Sequence, residues 1–190
     1  MTGPSYDAIV LAGGESRRMG GNDKTAMTLA GRPMLDYVLD AVAAAGRVVA
    51  VGLPRPTSIE VRWCREEPPG GGPAAAIAAA LSLVTAETVV VVGGDQPLLT
   101  ASVVEALVAG IAGDGCVGVD ADGRPQWLLG AWRTAALRSL PLGPGASLRD
   151  TLGSLTWTGA VLPAGAESDC DTPDDVRRIE AALTERSLPA

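Results

Sequence analysis

The chain has 190 residues, of which 47% are hydrophobic and 19% charged, with a formal net charge of −7. This apolar fraction is enough for a packed core and excludes a disordered chain. The sequence contains no histidine, which excludes Ser-His-Asp and Cys-His hydrolases, HExxH metalloproteases and zinc-dependent deaminases. A metal would need oxygen ligands, which favours Mg²⁺, and the acidic balance disfavours nucleic acid and anionic membranes as partners.

The three cysteines, at positions 64, 116 and 170, are far apart and show no CxxC spacing. This pattern predicts a reduced, cytoplasmic location rather than a disulfide framework. The chain does not open on a basic stretch followed by an apolar segment, and its longest apolar run is too short to cross a membrane. We therefore expect one soluble domain over residues 1–190.

Apolar, β-branched runs alternate with helical patterns along the chain. In chain order, the pattern predicts strands at 7–12, 47–51, 61–64, 88–92, 115–119, 127–131 and 156–161. The predicted helices cover residues 33–45, 73–83, 101–111, 133–140, 147–152 and 173–185, with Thr100 as an N-cap. This alternation predicts an α/β fold of three layers, a doubly wound, mostly parallel sheet with helices on both faces. The stretch 120–152 departs from the alternation, and we expect a small elaboration there that shapes one side of the pocket.

A glycine-rich loop, LAGGESRRMGGNDK at residues 11–24, directly follows the first predicted strand. Glycines let a ligand approach bare backbone N–H groups. The loop contains four of them, Gly13, Gly14, Gly20 and Gly21. Its cations are Arg17, Arg18 and Lys24. At the carboxyl end of a parallel strand this combination suits a polyphosphate, although the spacing fits neither a Walker A loop nor GxGxxG. The alternative is an ordinary strand–helix connection with exposed charges.

Lys24 is the only lysine among 15 cations. In so arginine-biased a chain, a single lysine indicates a place where a compact ammonium group is needed. The alternative is a chance surface residue.

Two acidic motifs could bind a metal. Asp95 lies in GGDQP, after the most apolar strand, where its carboxylate could hold Mg²⁺ on phosphate oxygens; it could equally be a turn residue. Asp169 and Asp171 alternate in SDCDTPDD, so both would point to one side of an extended segment, as metal ligands or as caps. Asp174 and Asp175 are interpreted as charges at a helix start.

A fourth motif, PPGGGPAAA at residues 68–76, contains a Gly-Pro turn and small side chains. Such a loop leaves room for a flat ring against the backbone. By itself it indicates only a tight loop before a helix.

Together these segments resemble the molybdenum cofactor guanylyltransferase family. LAGGxSxRMGGxDK resembles residues 11–24, and GRPML at 31–35 resembles the G-x-P-L that follows. The later GPxA, D-x-P-x-L and D-x-D-T-P-E-D motifs resemble residues 72–75, 95–99 and 169–175. The resemblance covers roughly residues 9–179.

The resemblance implies a Rossmann-like fold that transfers GMP from MgGTP to the phosphate of molybdenum-bound molybdopterin, releasing pyrophosphate. It implies catalytic roles for Arg18, Lys24 and Asp95, with Mg²⁺ on Asp95 and Asp171, and with Asp169 as a further ligand or a cap. It further implies nucleotide binding by Leu11, Ala12, Gly13, Gly14, Arg17, Lys24, Gly72, Pro73 and Asp95. It is also compatible with transient contact with proteins that deliver or accept the cofactor.

Three different functions also fit these residues. The first is the sister cytidylyltransferase, which usually lacks the paired glycine, so residues 11–14 together with Gly72-Pro73 favour guanine. The second is a sugar-phosphate nucleotidyltransferase, and the third is a nucleotide-binding regulator without turnover. Thr25 and Ala26 replace the usual Gly-Leu, and Pro125-Gln126 inverts the usual order, which leaves the acceptor open.

Overall fold

The computed structural model describes residues 6–13, 27–170 and 172–187. Its strands are β1 (Tyr6–Leu11), β2 (Thr28–Leu29), β3 (Arg32–Pro33), β4 (Val48–Val51), β5 (Arg62–Cys64), β6 (Thr88–Gly93), β7 (Gly115–Val119), β8 (Pro125–Arg133) and β9 (Trp157–Val161). Its helices are α1 (Met34–Ala41), α2 (Pro73–Leu81), α3 (Ala101–Ala109), α4 (Thr134–Ser139), α5 (Leu148–Leu152) and α6 (Pro173–Ser187).

The central sheet has the strand order β5-β4-β1-β6-β8. The first four strands are parallel, and β8 runs antiparallel to β6. Strand β7 lies beside β8 and pairs in parallel with β9. In the described part of the chain the sheet therefore has seven strands, most of them parallel, which confirms the predicted fold class.

Strand β1 shows how the sheet forms the middle of three layers. All six of its residues are buried. Ala8 and Val10 pack into a core cluster with residues of α1 and α3, while Ile9 and Leu11 pack into a second cluster with residues of α2 and α4. Because both faces of the strand are covered, residues 8–11 form a continuous apolar run instead of alternating.

The hairpin of β2 and β3 is not visible in the sequence pattern. Each strand has two residues, too short for any periodicity, and the pairing joins Thr28 to Pro33. The pattern predicts that Pro33 opens the first helix, but Pro33 belongs to this hairpin and α1 begins at Met34. Buried Leu29 joins Met34, Leu98 and residues of α6 in a third core cluster.

Thr100 occupies the N-cap position of α3, as predicted, but its side chain does not cap the helix. The Thr100 hydroxyl instead lies 2.9 Å from the hydroxyl of Ser102. The helix also ends at Ala109, two residues before the predicted end at 111.

The stretch 120–152 departs from strand–helix alternation, as predicted, and its predicted strand at 127–131 is part of β8 in the central sheet. Strand β8 pairs along β6 from Leu129 to Arg133. A tight turn joins β7 to β8, in which Asp120 accepts hydrogen bonds from the N–H groups of Asp122 and Arg124. These bonds lower the pKa of Asp120, the bond from Arg124 most strongly.

None of the helices within the described ranges has the length and apolar character that a membrane span requires.

Candidate active site

Three loops begin side by side at the carboxyl ends of β1, β4 and β6. The Ala12 N–H donates to the Val51 carbonyl at 2.9 Å, and the Gly94 N–H donates to the Leu11 carbonyl at 2.9 Å. Strand β5 ends at the same edge, because the Gly52 N–H donates to the Cys64 carbonyl at 2.9 Å. The carboxyl edge of a parallel sheet is where open α/β folds bind ligands.

Glycines let the backbones touch at this edge. A Cβ atom on Gly52 would lie 2.8 Å from the Ala12 carbonyl oxygen, and one on Gly94 would lie 2.9 Å from the Leu11 carbonyl oxygen. Both positions therefore exclude a side chain. Gly13, which opens the predicted polyphosphate loop, is exposed at this edge.

The turn after β6 places the Asp95 carboxylate over Gly93. A Cβ atom on Gly93 would lie 2.9 Å from Asp95 Oδ1. The buried side chain of Gln96 closes the same turn, because its Oε1 accepts the Gly93 N–H at 3.2 Å. Asp95 therefore stands at the carboxyl edge, one residue from the Gly94 contact with β1. A partly exposed carboxylate at this place fits Mg²⁺ as one oxygen ligand.

The PPGGGP loop leads from the end of β5 into α2. Gly72 is the N-cap of α2 with φ 86°, and Pro73 is the first helical residue. The position of a Cβ on Gly72 is open space, and the room for a flat ring stays a prediction. The Gly145 N–H donates to the Gly71 carbonyl at 3.0 Å, so the 120–152 stretch contacts this loop.

The late acidic segment lies close to the loop after β6. Cys170 is fully buried in the same cluster as Leu98, three residues beyond Asp95. Its neighbour Asp169 is exposed. Among the described residues, no group of three or more histidine, cysteine or acidic side chains could hold a metal. Asp171, the predicted partner of Asp95, lies outside the described residues.

The helix-start interpretation of Asp174 and Asp175 is confirmed. Asp175 accepts hydrogen bonds from the Thr172 N–H at 2.9 Å and the Thr172 hydroxyl at 2.7 Å. The Asp175 N–H donates back to the Thr172 hydroxyl at 3.2 Å, a reciprocal capping arrangement. Asp174 pairs with Arg177 on the surface.

The predicted cations lie outside the described residues: Arg17, Arg18 and Lys24, together with Gly14. Their roles stay predictions from the sequence. Of the remaining residues predicted to bind the nucleotide, the structure brings Leu11, Ala12, Gly13 and Asp95 to one edge and places Gly72 and Pro73 on the loop that leaves it.

One charged residue at this edge was missed by sequence reasoning. Arg55, in the loop after β4, donates from Nη2 to the Ala12 carbonyl at 3.1 Å. Its guanidinium lies 5.6 Å from the centre of the Trp63 ring. Arg55 belongs to no motif, and only the Pro-Arg-Pro context marks it in the sequence.

Cys64 lies at the end of β5 and is partly buried. Burial raises the pKa of its thiol, and the nearby Glu66 carboxylate raises it further. Because the thiolate is the reactive form, this shift lowers the reactive fraction of the thiol at neutral pH.

Comparisons with known proteins agree with this geometry. The family model of the MobA-like NTP transferase domain matches residues 8–166. The molybdenum cofactor guanylyltransferase of Cereibacter sphaeroides is 30% identical over 92% of this chain and 95% of its own length.

Two solved structures share the fold. The molybdopterin-guanine dinucleotide biosynthesis protein A of Archaeoglobus fulgidus superposes with a TM-score of 0.75 at 23% identity, over 94% of this chain and 99% of that protein. The 2-C-methyl-D-erythritol 4-phosphate cytidylyltransferase of Thermus thermophilus superposes with a TM-score of 0.71 at 18% identity, over 95% and 99%.

The fold, the glycine-lined carboxyl edge and these matches define an enzyme of the nucleotidyltransferase class. Within that class, the chain belongs to the MobA-like NTP transferase family. The resemblance found in the sequence is thereby confirmed at the level of the family.

Proposed function

We propose that this enzyme transfers GMP from MgGTP to the terminal phosphate of molybdenum-bound molybdopterin, yielding molybdopterin guanine dinucleotide and pyrophosphate. The observation that carries the proposal is the carboxyl edge, where the loops after β1, β4 and β6 begin side by side and Asp95 follows the contact of Gly94 with Leu11. The name of the Cereibacter sphaeroides relative supports guanine and the pterin acceptor. The cytoplasmic location expected from the free cysteines belongs to the same proposal.

The reaction needs no protein nucleophile. The phosphate of the acceptor would attack the α-phosphorus of GTP in line, and pyrophosphate would leave, so catalysis consists of positioning and charge neutralisation. The absence of histidine and the raised pKa of the Cys64 thiol are consistent with this chemistry.

Each part of the site has a separate task in the proposal. Arg18 and Lys24 would hold the triphosphate, with Arg17 beside them, and Asp95 and Asp171 would hold Mg²⁺. Bound there, Mg²⁺ would neutralise charge on the phosphate oxygens. The base and sugar would lie along residues 11–14 and against the open turn at Gly72 and Pro73.

The test is a thermal-shift panel with GTP, CTP, ATP and UTP, each with and without Mg²⁺. A specific ligand at 100 times its Kd stabilises a protein by about 2.7 kcal/mol. We expect GTP with Mg²⁺ to raise Tm more than CTP, ATP or UTP at equal concentration. Pyrophosphate release should then require both GTP and the molybdenum-bound pterin.

Two opposite results would each select a different function. A larger stabilisation by CTP, with pyrophosphate released from CTP, would move the assignment to a cytidylyltransferase. GTP binding with no pyrophosphate release from any acceptor would indicate a nucleotide-binding regulator.

A further inference from the structure

Arg55 holds the point where the chain leaves β1 and enters the predicted polyphosphate loop. Its Nη2 donates to the Ala12 carbonyl oxygen at 3.1 Å. The Ala12 N–H donates to the Val51 carbonyl at the end of β4. The N–H of Ala12 is therefore bound by strand β4, and its carbonyl is bound by the loop that follows β4.

Holding the Ala12 carbonyl also sets the direction of the next amide. The C=O of Ala12 and the N–H of Gly13 belong to one rigid peptide plane, and in a trans peptide they point in opposite directions. A hydrogen bond that fixes the carbonyl therefore fixes the Gly13 N–H as well. Gly13 has no side chain to restrain its backbone, so this external restraint matters more there than at residues with a Cβ.

Trp63 supports the guanidinium from β5. The guanidinium carbon lies 5.6 Å from the ring centre, within the range of a cation–π contact. Trp63 is itself partly buried against the core cluster of α1 and α3. The hydrogen bond between Gly52 and Cys64 ties the ends of β4 and β5 together. The Trp63 ring and the loop of Arg55 are thus joined through the paired ends of β4 and β5.

We propose that Arg55 is a positioning residue of the nucleotide site, which orients the Gly13 amide for hydrogen bonding to the bound nucleotide. The inference rests on the proposed function, because it requires a nucleotide at this edge. Arg55 acts through the Ala12–Gly13 peptide, with Trp63 limiting the freedom of its side chain.

The first experiment compares Arg55→Ala, Arg55→Lys and Trp63→Leu with the control Arg62→Ala. Arg62 is an exposed residue of β5 beside Trp63. Loss of one well-oriented hydrogen bond predicts about ten-fold weaker GTP binding in Arg55→Ala, expressed in KM more than in kcat. Arg55→Lys keeps a donor but loses the planar group, so its affinity should be intermediate. Trp63→Leu should also be intermediate, and Arg62→Ala unchanged.

The second experiment needs no nucleotide. The amide resonance and hydrogen exchange of Gly13 are measured in the ligand-free protein and in the same four variants. We expect a shifted amide resonance and a changed exchange rate of Gly13 in Arg55→Ala and Trp63→Leu. Both should keep their wild-type values in Arg62→Ala. A purely structural role of Arg55 would lower Tm without changing this amide or the affinity.

The two measurements separate the inference from the function on which it rests. An unchanged Gly13 amide with unchanged GTP affinity in Arg55→Ala would overturn the role of Arg55 and leave the proposed function standing. A wild-type protein that binds none of the four nucleotides would overturn the proposed function and, with it, the nucleotide part of the inference. A changed Gly13 amide would then still support the hold of Arg55 on that peptide.

Discussion

The carboxylate of Asp95 rests against the bare Cα of Gly93, so close that a Cβ on Gly93 would lie 2.9 Å from Asp95 Oδ1. Gln96 Oε1 accepts the Gly93 N–H in the same turn. The position of the carboxylate at the end of β6 therefore depends on a glycine two residues before it.

This relationship predicts the effect of Gly93→Ala. The new methyl group must push the Asp95 side chain aside, because the clashing atom is the end of a flexible side chain and can move. We expect turnover to fall by roughly 10- to 100-fold, while the free energy of unfolding changes by about 1 kcal/mol or less. Gly143→Ala is the matched control, since a Cβ there meets nothing within 4 Å. Wild-type turnover in Gly93→Ala would show that the placement of Asp95 does not matter.

The metal proposal predicts a changed Mg²⁺ requirement when its ligands lose their charge. Asp95→Asn and Asp171→Asn keep the side-chain size, so turnover should fall and the Mg²⁺ concentration for half-maximal activity should rise. Stability should change little. Activity is titrated with Mg²⁺ for each variant separately. The wild-type Mg²⁺ dependence in Asp95→Asn would return Asp95 to a turn residue.

Asp169→Asn, titrated in the same series, decides between the two interpretations of Asp169. A ligand would shift the Mg²⁺ requirement as Asp171 is expected to do. A capping residue would lower Tm and leave the Mg²⁺ requirement unchanged.

Lys24, the only lysine of the chain, is predicted to contact the triphosphate. Lys24→Ala should lower turnover by roughly 10²-fold or more with an unchanged Tm in the absence of ligand. Lys24→Arg should also be impaired, since a planar fork does not replace a compact charge. Steady-state kinetics of pyrophosphate release measure both. Unchanged kinetics in Lys24→Ala would make it an ordinary surface lysine.

The lowered pKa of Asp120 predicts that its carboxylate contributes to the free energy of unfolding in a pH-dependent way. Its folded-state pKa is lowered, first by the Arg124 N–H and also by the Asp122 N–H and the Gln126 amide. A lowered pKa means that the stabilisation is present above the unfolded-state pKa of about 3.9 and is lost as the pH falls through the folded-state pKa.

Wild type should therefore be more stable than Asp120→Asn at pH 7, and the difference should shrink below about pH 4. Chemical denaturation at several pH values measures it. Asp122→Asn is the control, because the Asp122 carboxylate forms an exposed ion pair with Arg124, which contributes little to stability. A stability difference that is independent of pH would refute the role of the Asp120 charge.

Local patterns in the sequence were sufficient for much of the fold. Strands β1 and β6 were predicted because strands covered on both faces are mostly apolar, as residues 8–11 and 89–92 are. The start of α6 was predicted because proline and carboxylates suit the first turn of a helix. The glycine-rich loop and GGDQP were recognised because residue spacing within a loop is visible in the chain.

Contacts between distant segments were decided only by the tertiary structure. Strands β2 and β3 are two residues long, so no period marks them, and their pairing depends on the cluster around Leu29. The antiparallel pairing of β8 with β6 is a matter of sheet topology. The hydrogen bond from Arg55 to Ala12 joins residues 43 positions apart. Periodicity and spacing describe neighbours along the chain, whereas these features arise from the free energy of packing segments that the sequence keeps apart.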